Sequence, residues 1–195
     1  MTRQLELLSA GDPLLAPSTD IDDVRAALAG ADPAATRTRM DQLLDDRPAP
    51  LDRTERPGHF TGSALVVDAD IRRVLLLFHT KLQIWVQPGG HADGDANLAA
   101  VALREAEEET GIVGLRVWPI AIDLDIHRVS PPDEDPHFHH DVRFLVMAPR
   151  GAEVSANHES QGHEWVEPDR LESMGADAGL VRLVARGLEL AHQFV

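Results

Sequence analysis

The chain has no cysteine among its 195 residues. That removes disulfides, thiolate nucleophiles and thiolate metal ligands, and leaves the redox compartment undetermined. Lys81 is the only lysine, so arginine supplies the other basic side chains. No apolar run is long enough to span a bilayer. The opening Met1-Thr2-Arg3-Gln4-Leu5-Glu6 lacks a basic segment followed by an apolar one, so no signal peptide is expected and the expected location is the cytoplasm. Positive charge is scarce: 18 Lys and Arg stand against 33 Asp and Glu, a formal net charge of −15. This argues against sequence-independent binding of polymeric DNA or RNA, where phosphate neutralisation dominates affinity. A small phosphorylated ligand, held through cations and local arginines, stays open. Internal repeats and low-complexity tracts are absent. The length suits one well-buried domain with an appendage.

The elements are readable from periodicity and punctuation. Asp20 to Leu28 has helical apolar spacing with Gly30 as a stop, and Asp32-Pro33 caps a second helix reaching Leu44. Arg47 to Pro57, rich in Pro, Asp and Arg, reads as a linker. Thr61–Val67, Arg73–His79, Ile84–Val86, Gly114–Val117, Ala121–Ile126, Asp141–Ala148 and His163–Val166 read as strands. Ser130 to His140, with its prolines and acids, reads as an exposed loop. An amphipathic helix from Ala178 to Gln193 closes the chain.

The most informative stretch is Arg104-Glu105-Ala106-Glu107-Glu108-Glu109-Thr110-Gly111-Ile112, downstream of Pro88-Gly89-Gly90-His91. Leu98 to Thr110 reads as a helix stopped by Gly111. Glu105, Glu108 and Glu109 share one face at spacings i, i+3 and i+4, where like charges cost a few tenths of a kcal/mol per pair. They also crowd the negative end of the helix dipole. A bound divalent cation reverses the sign of both penalties, and hard carboxylate oxygens suit Mg²⁺ or Mn²⁺. Glu107 points about 150° away from that face and is expected in solvent. The bland alternative is a solvated acidic face.

Gly90 through Ile112 resembles the Nudix box, a glycine followed at fixed spacing by Arg-Glu-aliphatic-x-Glu-Glu-x-Gly-aliphatic. Gly90, Arg104, Glu105, Glu108, Glu109, Gly111 and Ile112 occupy matching positions, with Ala106 at the first aliphatic one. The departure is Ala96, where the family has a glutamate that mainly shapes the loop; Asp95 is one residue early. The resemblance implies an α+β fold, a Nudix-type α/β/α sandwich with a mixed β-sheet. Residues 1–57 are then a helical N-terminal arm and linker, and 58–195 the Nudix domain with its C-terminal helix.

The same resemblance implies a Mg²⁺-dependent hydrolase, with Mn²⁺ as the alternative ion. It would cleave the diphosphate linkage of a nucleoside diphosphate joined to another group. Glu105, Glu108 and Glu109 would be metal ligands together with the Gly90 backbone, while Arg104, Glu105 and Glu108 would be catalytic. Arg104, one turn before Glu108, would hold that carboxylate. Glu159, in a loop near the last strand, is the candidate general base. Gly89, His139 and His140 are candidate substrate contacts, and His137, His139, His140 and His127 form a histidine group open to substrate or to a transition metal. Trp85, Trp118, Phe138 and Trp165 either stack on a base or belong to the core. No polymeric nucleic acid or membrane partner is expected, and the arm either packs on the core or forms a homodimer. A catalytically silent nucleotide-binding module is the competing reading.

Overall fold

A computed structural model describes residues 6–80, 83–131, 134–155, 157 and 160–194. In chain order the elements are β1 (Leu8–Ser9), α1 (Ile21–Leu28), α2 (Ala34–Asp46), β2 (Gly58–Val67), β3 (Val74–His79), β4 (Trp85–Val86) and β5 (Gly89–His91). There follow α3 (Leu98–Thr110), β6 (Arg116–Val117), β7 (Asp123–Val129), β8 (His137–Met147), β9 (Ser160–Val166) and α4 (Ala178–Ala191). Three of the helices start on a side-chain cap: Asp20 accepts from Asp22, Asn97 from Ala100 and Asp177 from Leu180. Such caps satisfy backbone donors that the first turn leaves orphaned. Helix α2 instead starts after Pro33 without a side-chain cap, so Asp32 does not fill the capping role its position suggested.

One mixed sheet organises the molecule, in the order β1-β6-β8-β2-β3-β4, with β5 also on β2, β7 on β8 and β9 on β3. β2 and β8 run parallel from Gly58 opposite Phe138 to Val67 opposite Met147. All ten residues of β2 are buried, as expected of a central strand covered on both faces. Side chains alternate across it. Phe60, Ala64 and Val66 join Val142, Phe144 and Val146 of β8 in one apolar layer with Leu98, Val101 and Ala102 of α3. Leu65 and Val67 join Leu145, Met147 and Leu180, Leu183 and Val184 of α4 in the other. Helices therefore cover both faces, the expected sandwich. Burying each such Leu or Phe contributes about 1.5–3 kcal/mol.

The arm belongs to the first layer: Val24, Leu28, Met40, Leu43, Leu44 and Leu51 share its core. The Arg47–Pro57 stretch carries no helix or strand, but it is docked. Phe60 donates its N–H to the Pro50 carbonyl at 2.8 Å, and Gly94 donates to that of Leu51 at 3.1 Å. The expected loop Ser130–His140 needs correction, because β8 begins at His137 and pairs with both β2 and β7. Its proline- and acid-rich composition holds only up to Pro136. Among the described residues, no helix is long and apolar enough to cross a membrane.

Candidate active site and an adjoining histidine face

Helix α3 ends as its sequence demands. Gly111 takes a left-handed φ of 65° and donates to the Glu107 carbonyl at 2.9 Å. A side chain there would also run into the Ser155 backbone oxygen at 2.8 Å. Two more carbonyls of the last turn are met by Ser155 N–H on Thr110 (2.7 Å) and Asn157 N–H on Glu109 (3.2 Å). The segment leading toward Glu159 thus passes the acidic end of the helix; Glu159 itself lies outside the described residues.

Glu105 is directed at the glycine turn. A Cβ on Gly90 would sit 2.5 Å from the Glu105 Cδ and Oε2 and 2.9 Å from Oε1. The Gly90 backbone therefore rests on the carboxylate, a cradle that any side chain would fill. Gly89, its neighbour, packs on the opposite side, where a Cβ would lie 2.9 Å from both Cα and Cβ of Ser63. Arg104 Nη2 donates to Glu105 Oε1 at 3.1 Å. This corrects the expectation that it would hold Glu108. Glu105 keeps 19% side-chain exposure and Glu108 is exposed, so the charge-assisted bond forms at the less solvated acid, where it is worth more. Glu109 is half-buried. Glu107 is not in open solvent either: it is half-buried, and burial raises its carboxyl above the usual range. Helix α3 packs on the sheet and also against α1, which shields more of its surface than a one-sided helix would have.

The loop before α3 is shaped by Asp95. Its Oδ1 accepts from Asn97 N–H at 2.9 Å and from Ser18 N–H at 3.0 Å. Ala96, buried, donates its N–H to the Ser18 carbonyl at 2.7 Å. Asn97 Nδ2 reaches the carbonyls of Leu14 and Ala16 at 2.9 and 3.1 Å. The arm and the neighbouring acid thus order the loop where the box glutamate is missing. Arg53 closes its rim by a bidentate ion pair with Asp93.

The profile of the NUDIX domain matches residues 59–186. The chain belongs to the Nudix family. Solved structures share the fold. A C. elegans Ap4A hydrolase in a binary complex superposes with TM-score 0.55 at 18% identity, covering 69% of this chain and 98% of that one. A Nudix-family hydrolase from Clostridium perfringens gives 0.53 at 22%, covering 70% and 98%. The E. coli dihydroneopterin triphosphate pyrophosphohydrolase gives 0.52 at 14%, covering 70% and 97%. No curated protein matches the sequence. Family membership makes this chain a Nudix-type pyrophosphohydrolase.

On the α4 side of the sheet this Nudix domain carries a polar stripe that sequence reasoning only half found. His59 stands opposite His139, and His139 opposite His127, across three neighbouring strands. His91 of β5 pairs at Thr61. The His59 ring centroid lies 5.0 Å from that of His91, 4.9 Å from His137 and 5.1 Å from His139. Burial, reinforced by neighbouring imidazoles, pushes His59 down to about 4 and His139 to about 2. His91 is lowered for the same first reason. His127 goes the other way: burial opposes its charge, but Asp125, 3.0 Å from Nδ1, raises it. His140 is not in this group. It points to the opposite face, 5.9 Å from the Phe60 ring, so His139 and His140 cannot serve one site together.

Further along the same face, Thr61 and Ser63 hydroxyls donate to Asp141 Oδ1 at 2.9 and 2.7 Å. Arg143, 4% exposed, bridges Asp141, Asp123 and Asp125 at 2.8, 3.3 and 3.2 Å. Arg182 and Arg186 reach from α4 to Asp123 at 2.7 and 2.6 Å. This network ties α4 to the sheet. The aromatics divide similarly: Trp85 packs at a tilt against Phe78, Trp118 likewise against Phe194, and Arg73 lies over Trp165, while Phe138 is exposed. His59 and His91 carried no motif. The signal that finds His59 is period-two polarity, residues 59, 61 and 63 standing opposite 139, 141 and 143; His91 lies outside that pattern.

Proposed function

We propose that this protein hydrolyses a diphosphate linkage in a nucleoside diphosphate joined to another group, with Mg²⁺ as the activating ion. The observation that carries this reading is the Gly90 backbone resting on the Glu105 carboxylate at the acidic end of α3. The donor set fits the ion: three carboxylates on one helical face and a side-chain-free backbone beside them are the oxygen ligands that Mg²⁺ or Mn²⁺ accepts. Glu105, Glu108 and Glu109 would hold it, with the Gly90 carbonyl. When bound, such an ion neutralises diphosphate charge and lowers the pKa of water.

The chain's own residues do the rest. Arg104 orients Glu105 through their ion pair, and the loop ordered by Asp95 presents Gly90. Glu159 is the proposed general base, in keeping with the hydrogen bonds that bring Ser155 and Asn157 to the end of α3. Two of the structural relatives are named for polyphosphate substrates, an Ap4A hydrolase and a dihydroneopterin triphosphate pyrophosphohydrolase, which supports the choice of an anhydride bond. The test is a panel of nucleotide sugars, dinucleoside polyphosphates, ADP-ribose and nucleoside triphosphates, with products followed by mass. Turnover that needs Mg²⁺ and is lost in Glu108→Gln is expected. Tight nucleotide binding with no turnover under Mg²⁺ or Mn²⁺ would overturn the reading in favour of a binding module.

A further inference from the structure

We propose that His59, His91 and His139 form a binding site for a transition-metal ion of the Zn²⁺ class, separate from the carboxylates of α3. One nitrogen from each of the three lies within 4.8 Å of the other two. A tetrahedral site with Zn–N bonds of about 2.0–2.1 Å needs donors about 3.4 Å apart, so modest ring rotations close the set. The strands supply the convergence. His59 and His139 are register partners on β2 and β8, and His91 comes in from β5 opposite Thr61, two residues along β2 on the same face, at ring distances of 5.0 and 5.2 Å.

The donor atoms are waiting. Among the described residues, His59 Nε2 and His139 Nε2 are buried with no hydrogen-bond partner, and His59 as a whole is 0% exposed. His59 Nδ1 faces the Glu55 carbonyl at 3.5 Å, the arrangement that fixes a ligating imidazole's tautomer and turns the other nitrogen toward an ion. His137 repeats the pattern, with Nδ1 on the Asp135 carbonyl at 2.8 Å and an unpartnered buried Nε2. Its ring is 4.9 Å from His59 and 5.3 Å from His139. Imidazole nitrogens select borderline ions such as Zn²⁺, whereas carboxylates select Mg²⁺, so donor type alone keeps the two sites distinct. Because His91 follows Gly90, an ion held here would pin β5 to β2 and β8 and steady the backbone that meets Glu105.

The experiment uses the full chain, stripped with EDTA and then offered Zn²⁺ or Co²⁺ alone, with no nucleotide. Calorimetry is expected to show one tight Zn²⁺ equivalent, and Co²⁺ the strong visible absorption of a four-coordinate site. His139→Gln and His91→Asn should each weaken Zn²⁺ by about 100-fold or more, since even outer-shell partners of a ligand are worth 10–100-fold. Glu105→Gln and Glu108→Gln should bind it as the parent does, whatever happens to hydrolysis. Circular dichroism confirms that each variant is folded; should His139→Gln fail, His91→Asn, at a half-buried position, decides. Absence of saturable Zn²⁺ uptake overturns the proposal, as does histidine-variant binding equal to the parent's. Binding abolished by the glutamate substitutions would do so too, by placing the ion on α3.

Discussion

Replacing Gly90 and Gly89 by alanine, one at a time, should separate catalysis from stability at adjacent positions. Neither glycine has a positive φ, so alanine meets no backbone penalty and only the added methyl matters. At Gly90 the methyl would lie 2.5 Å from the Glu105 carboxylate carbon, where ordinary contact needs about 3.5 Å. The obstacle is the end of a side chain, which can swing by roughly 1 Å. Gly90→Ala should therefore change unfolding free energy by less than about 1 kcal/mol, helped by the entropy alanine removes from the unfolded chain. The displaced carboxylate is the proposed metal ligand, and a 1 Å misplacement costs about 100-fold in rate, or about 2.7 kcal/mol of barrier.

At Gly89 the methyl would lie 2.9 Å from Ser63 Cα and Cβ, on a strand paired with β8 and unable to retreat. Overpacking of this kind costs about 1–3 kcal/mol, or roughly 2–12 °C in Tm for a domain of this size. The assays are kcat/KM with Mg²⁺ on the best substrate of the panel and thermal unfolding by calorimetry. Parental activity in Gly90→Ala, or a melting point as depressed as that of Gly89→Ala, would refute the reasoning.

Asp95→Ala removes the acceptor shared by Ser18 and Asn97 and should lower stability by about 1–3 kcal/mol, with faster amide exchange at Ala96; unchanged exchange would contradict the role given to Asp95. Arg143→Met leaves Asp123, Asp125 and Asp141 without their shared cation and should cost about 3–5 kcal/mol in urea unfolding; a loss below 1 kcal/mol would show the network is dispensable. Burial, with the charge of Arg39, holds His140 down to about 4, below its unfolded value near 6.5. Its contribution is thus present above pH 6.5 and lost as pH falls toward 4, on the order of 3 kcal/mol. In EDTA, His140→Gln should flatten the pH dependence of the urea midpoint across that window, and an unchanged slope would count against it.

What could be read from the sequence was what is local along the chain. Leu98–Thr110 and its Gly111 stop were legible because cap, periodicity and stop all lie within one continuous stretch. The acidic face was legible because helical geometry converts spacing into direction. The histidine site was legible only at His139, because its ligands come from strands separated by up to 80 residues, His59 to His139. Their convergence depends on a parallel register that no local pattern specifies. The start of β8 was missed for a related reason: Pro136 and the acids before it read as a loop, and only the partners on β2 and β7 reveal His137–His140 as strand. Arg104 shows a different limit. Helical spacing offered Glu108, and the difference in solvation between two carboxylates decided for Glu105.

The threading of residues 14–18 onto Asp95, Ala96 and Asn97 makes two segments about eighty positions apart open and close as one cooperative unit. Fluctuation of the leading segment is then transmitted to the glycine turn without any ligand passing between them. Random mutagenesis screened for turnover should accordingly recover hits around Leu14, Ala16 and Ser18, far in sequence from any carboxylate.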